Sequence, residues 1–157
     1  MSEKSIVEEA IEYFRAERSR SERELTVKEK SHQNTVYQVS ELLLISIWKN
    51  LLKPVLRWFL PRKLRKLKKE IDVLRDRISQ YITAEEELKQ GKYETAISLL
   101  DETINRLPAT IPTTSTGSNI NGTTQTQIRN ERFYYLLELK RKLVSLQEVE
   151  AVTTIIQ

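Results

Sequence analysis

Leu64-Arg65-Lys66-Leu67-Lys68-Lys69-Glu70-Ile71-Asp72-Val73-Leu74-Arg75-Asp76-Arg77-Ile78-Ser79-Gln80-Tyr81 carries the clearest periodicity in the chain. Leu64, Leu67, Ile71, Leu74, Ile78 and Tyr81 alternate steps of three and four, which is a heptad seam over about three repeats. Such spacing places one apolar stripe along a helix and predicts a coiled coil or a long packing helix. The seam has two outlets, packing within the chain or pairing with another chain. No Gly or Pro interrupts this stretch, and its polar positions are Arg, Lys, Asp and Glu with Ser79 and Gln80 near its end. The fold expectation that grows from it is all-α: an elongated helical bundle with a heptad helix at its centre.

Moving toward the N-terminus, the seam emerges from a basic run, Arg62, Lys63, Arg65, Lys66, Lys68 and Lys69, headed by Pro61. Before that lies a dense apolar segment, Leu42 to Leu60, which holds both Trp residues. No acidic residue falls between Glu41 and Glu70. As a helix the 19 residues of this segment would reach roughly 28 Å. Lys49, Lys53 and Arg57 lie within it, each costing about 2.5–3.5 kcal/mol on insertion scales, against about 0.3–0.6 returned by each large apolar residue. A spanning helix is therefore not expected. On a helical wheel Ser46, Lys49, Asn50, Lys53 and Arg57 share an arc of about 100°. That is the pattern of a helix lying in a bilayer surface, with Leu43, Ile47, Leu51 and Phe59 inserted and Trp48 and Trp58 at the boundary. Lys49, Lys53, Arg57 and the run Arg62 to Lys69 would then meet anionic headgroups. The same residues equally suit a central core helix or an interface with another protein. Pro54 and Pro61 predict breaks or kinks near Lys53 and Leu60, with Pro61 well placed as a first helical residue.

Farther out, residues 3 to 32 read as helix, capped by Ser2 or Ser5 and carrying an apolar face of Ile6, Val7, Ala10, Ile11 and Phe14. From Arg15 to Gln33 the stripe fades into interleaved charges, a helix expected to project into solvent or to be only marginally stable. Val36, Val39, Leu43 and Ile47 restart the spacing. On the C-terminal side, residues 109–128 are rich in Thr, Ser, Asn and Gly without charge and predict a flexible linker. A last helix is expected over residues 129–151, with Phe133, Leu136, Leu139 or Lys140, Leu143, Leu146 and Val149 as its stripe, followed by a frayed β-branched tail. The division expected is thus 1–35, 36–61, 62–108, 109–128 and 129–157.

Residues 84–108 read as a helical hairpin broken at Gln90-Gly91-Lys92. Ala84, Gly91, Tyr93, Ala96, Leu100 and Pro108 stand at the spacing of small, turn, aromatic, small, large apolar and terminal Pro positions of one tetratricopeptide repeat, which this segment resembles. Glu87 and Thr103 stand where that family has an aromatic and a second small residue. The resemblance covers about a sixth of the chain and implies protein–protein interaction by helix packing, through Tyr93, Ala96 and Leu100, and no chemistry.

The chain of 157 residues has no Cys and one His, a charge of +4, and 31% charged residues. Thiolate metal sites, disulfides and Cys nucleophiles are excluded, and His32 alone builds neither a multi-His metal site nor, in its polar setting, a catalytic triad. Three Gly leave little for phosphate loops, and no nucleotide-binding or nucleophile-elbow motif occurs. The expectation is a non-catalytic, cofactor-free adaptor, cytoplasmic and peripheral on a membrane face. Its expected partners are other protein subunits and an anionic membrane surface. A nucleic-acid accessory protein and a self-assembling homo-oligomer are the alternatives.

Overall fold

The computed structural model describes residues 3–48, 53–114 and 125–156. The fold is all-α, and the described residues form four helices and one two-stranded ribbon: α1 Glu3–Trp48, α2 Lys53–Lys89, α3 Glu94–Arg106, β1 Thr110–Thr114, β2 Gln125–Arg129 and α4 Glu131–Ile156. It divides into two compact units, Met1–Glu12 with Ala84–Gln157, and Tyr13–Thr83.

The second unit is an antiparallel pairing of α1 with α2. As α1 numbering rises its partners on α2 fall: the Phe14 ring meets Tyr81 at 6.0 Å, and Lys28 meets Glu70 at 2.6 Å. Ile71, Leu74 and Tyr81 are buried, and Leu64, Leu67 and Ile78 are half-buried, so the heptad seam of α2 is used within the chain. Its counterpart on α1 is polar. Phe14, Ser21, Lys28 and Thr35 recur every seven residues. Phe14, Ser21 and Thr35 are buried and Lys28 is half-buried. The charged half of α1 is therefore a packing surface and does not simply project into solvent. Long Lys and Arg stems cover apolar surface while their charged ends stay wet, which lets such residues sit at a seam.

Three further boundaries differ from expectation. α1 runs without interruption to Trp48, because no Gly or Pro separates its two apolar stretches and the Thr35 hydroxyl bonds back to the Ser31 carbonyl at 2.8 Å. Ser5 accordingly lies inside the helix, and Ser2 lies outside the described residues. α2 carries Pro54 in its first turn, where a missing N–H is cheap, but also Pro61 in its interior. The helix continues through Pro61, flanked on both sides by Leu, Lys and Arg, which are good helix formers. α4 extends through the β-branched tail to Ile156, where the hydroxyls of Thr153 and Thr154 bond to the carbonyls of Val149 and Glu150.

The first unit closes around Ala10, Ala84, Leu88, Tyr93, Ala96, Leu100, Ile104, Leu136, Leu139, Leu143 and Leu146, all buried. α2 ends in a Schellman motif. Lys92 N–H donates to the Glu87 carbonyl at 2.8 Å and Gly91 N–H to that of Leu88 at 3.2 Å. Gly91 takes φ 76°, the left-handed conformation this motif requires. Leu107 is extended, as a residue before Pro108 must be, and so α3 stops there. The segment expected to be a linker instead forms β1 and β2, paired antiparallel from Thr110↔Arg129 to Thr114↔Gln125; residues 115–124 lie outside the described residues. Asn130 ties the ribbon's base. Its side chain donates to the Pro108 carbonyl at 2.7 Å, its N–H donates to Ala109, and its carbonyl accepts from Tyr134 to start α4. The Arg129 guanidinium lies 3.8 Å from the centre of the Tyr134 ring.

Candidate functional site

The basic run is built by its own periodicity. Leu64 and Leu67 are drawn to the α1 side, so the residues between and around them are forced outward. Arg62, Lys63, Arg65, Lys66, Lys68 and Lys69 are all exposed. Among the described residues Lys63, Arg65, Lys66, Lys68 and Lys69 make no ion pair. Two acidic groups nearby are already engaged. Glu70 accepts from Lys28 at 2.6 Å, and Glu29 accepts from Arg75 at 2.7 Å. The hydrogen bond from Lys28 holds the Glu70 carboxyl below its ordinary range, and the same bond raises the Lys28 ammonium. Each of these acids is bonded to a cation outside the run, with Glu70 also feeling the charge of Lys66, and the run keeps an excess of positive charge.

A groove between α1 and α2 is lined by Glu29, His32, Gln33, Lys68, Asp72 and Arg75, with Ile71 beneath them. It mixes both signs of charge, and its arginine is already bound to Glu29, so it offers no selective anion pocket. His32 is half-buried here and lines the groove. Among the described residues no group of three or more His, Asp or Glu is placed to hold a metal ion. No helix among them is long and apolar enough to cross a membrane.

The other expected contact residues divide in two. The side chains of Leu43, Ile47, Trp48, Leu51, Trp58 and Phe59, and of Lys49, Lys53 and Arg57, lie outside the described residues. The packing residues Leu64, Leu67, Ile71, Leu74, Ile78 and Tyr81 come together along the α1–α2 pairing, and Tyr93, Ala96 and Leu100 come together in the first unit. The Tyr93 hydroxyl also donates to Glu150 of α4 at 3.0 Å. Sequence reading missed the seam cations and their partners, Lys28–Glu70 and Arg75–Glu29, which are separated by 42 and 46 positions. The only signal for them was the seven-residue recurrence of Phe14, Ser21, Lys28 and Thr35. No protein-family model matches the chain, and neither a curated protein nor a solved structure matches it.

Proposed function

We propose that this chain is a non-catalytic helical adaptor that attaches reversibly to an anionic membrane surface through the basic stretch of α2. The observation that carries this reading is the set of five exposed cations, Lys63, Arg65, Lys66, Lys68 and Lys69, without ion-pair partners among the described residues. Charges of this kind each contribute about 1 kcal/mol near anionic lipid. Five together give about 5 kcal/mol, a dissociation constant on the order of 0.2 mM in accessible lipid. That is attachment which salt reverses. The apolar residues Leu43, Ile47, Leu51, Trp58 and Phe59 would deepen it. The hairpin of α2 and α3 that resembles a tetratricopeptide repeat spends Ala84, Tyr93, Ala96 and Leu100 on the chain's own core, so protein partners would meet its outer face.

The test is co-sedimentation of the full chain with phosphatidylserine-containing and with neutral vesicles, at low and high salt. The wild type is expected to pellet only with anionic vesicles at low salt, and Lys63→Glu/Lys66→Glu/Lys69→Glu to remain in solution with unchanged helicity. Equal binding by the triple variant, or no binding by either, overturns the membrane reading. Retention on duplex nucleic acid without retention on vesicles would reassign the same face to phosphate backbones.

A further inference from the structure

The ribbon of β1 and β2 has two outer edges, and they are not equivalent. Asn130 N–H donates to the Ala109 carbonyl at 3.0 Å, so the backbone groups of that pair face the partner strand. Antiparallel ladders alternate such pairs with pairs whose backbone groups face outward. Ala109 and Asn130 continue the register that sets Thr110 opposite Arg129 and Pro112 opposite Gln127. Counting along it, the outward N–H and C=O groups on β2 belong to Gln125, Gln127 and Arg129. On β1 the outward positions are Thr110, Pro112 and Thr114. Pro112 has no N–H, so the centre of that edge lacks a donor, a device that blunts edge pairing. The β2 edge keeps all of its donors.

A two-stranded ribbon is marginal in water by itself, and three or more strands are usually needed. We propose that β2 pairs antiparallel with β2 of a second copy of this chain, about a two-fold axis at Gln127. The occupant follows from self-complementarity. Centred on Gln127, the pairing sets Gln125 opposite Arg129 and Gln127 opposite itself, so the one charged residue of the strand never faces its own copy. The resulting four-stranded sheet ends on a Pro112-bearing β1 at each side. Assembly therefore closes at two copies instead of growing into a fibre.

The test is sedimentation equilibrium of the full chain over a wide concentration range, with circular dichroism as the check on folding. Wild type is expected to show a monomer–dimer equilibrium. Gln127→Pro removes an outward N–H from each copy but none from the β1–β2 ladder, and should raise the dimer Kd roughly tenfold or more. Pro112→Thr restores the missing donor and should produce species larger than a dimer. A wild type that stays monomeric throughout overturns the proposal, and so does a dimer whose Kd is unchanged by Gln127→Pro.

Discussion

The core of the first unit is closed by aliphatic side chains and alanines drawn from four helical segments, and the seam of the second is closed on one side by aliphatics and on the other by Ser, Thr, Lys and Arg. Leu100, Leu136, Leu139 and Leu143 are at most 1% exposed; in the second unit Phe14 is buried as deeply, while Ile71 and Leu74 are 6–7% exposed. Burial of a large aliphatic side chain contributes about 1.5–3 kcal/mol, and among the described residues the first unit contains more such residues. Its stability is held in packing. The second unit leans on helix length, side-chain stems and a few cross-helix ion pairs. Polar seams set register and partner choice more than they add stability. The polar half of α1 thus fits a pairing that is specific and loose.

The largest effect expected from this contrast is in the first unit. Leu136→Ala, at a fully buried position, should cost about 3 kcal/mol in denaturant unfolding. A loss below about 1 kcal/mol would mean that the site collapses easily and that the two regions are less different than their burial suggests. Next comes Gly91→Ala. A Cβ there would lie 3.5 Å from Glu150 Oε1, an ordinary contact, so the penalty is conformational, about 1 kcal/mol. An unchanged midpoint would show that the left-handed turn is not needed.

Acid separates the regions by another route. Glu70 titrates below its ordinary value in the folded chain, so its contribution is present above the unfolded carboxyl range and fades as pH falls through the depressed value. Lys28 is raised, so its share persists at neutral pH and fades only in strong alkali. Amide exchange in α1 between Ser21 and Thr35 should therefore accelerate below about pH 4 before exchange in α3 does. Glu70→Gln should abolish that order at little cost near pH 7. The smallest effect is expected for Thr35→Val. Its hydroxyl is satisfied by its own helix, so an apolar replacement should stabilise the pairing by a few tenths of a kcal/mol. A clear loss would assign that hydroxyl a role across the seam.

These contrasts also mark what could be read in advance. The stripe from Leu64 to Tyr81 was legible because apolar periodicity records which side of a helix meets a neighbour. Its partner on α1 was not, because Arg18, Ser21, Lys28 and Thr35 obey the same period with residues that a hydrophobic pattern ignores. The turn at Gly91 and the stop at Pro108 were legible from backbone chemistry alone. Thr110 to Thr114 and Gln125 to Arg129 were hidden by composition, although Thr-Ile and Gln-Ile runs flanking a Gly and Asn cluster are a β signal. Pro61 misled in the opposite sense: local sterics argue for a break, and the helix formers around it prevail. For the candidate face, the charges were visible in order, but their lack of partners depended on Glu29 and Glu70 being claimed from across the pairing.

The first unit is assembled from both sides of an insertion, residues up to Glu12 and residues from Ala84 onward. Lys142 meets Glu9 at 3.5 Å across 133 positions of chain. At ribosomal speeds of about 5–20 residues per second, Glu9 waits on the order of ten seconds for that partner to be synthesised. The α1–α2 pairing needs nothing beyond Thr83 and can zip in the interval. By joining Phe14 to Tyr81 it shortens the loop that remains to be closed. A loose, early-forming hairpin would then serve the nascent chain as a clasp, holding its N-terminus in place until α4 arrives to complete the tighter core.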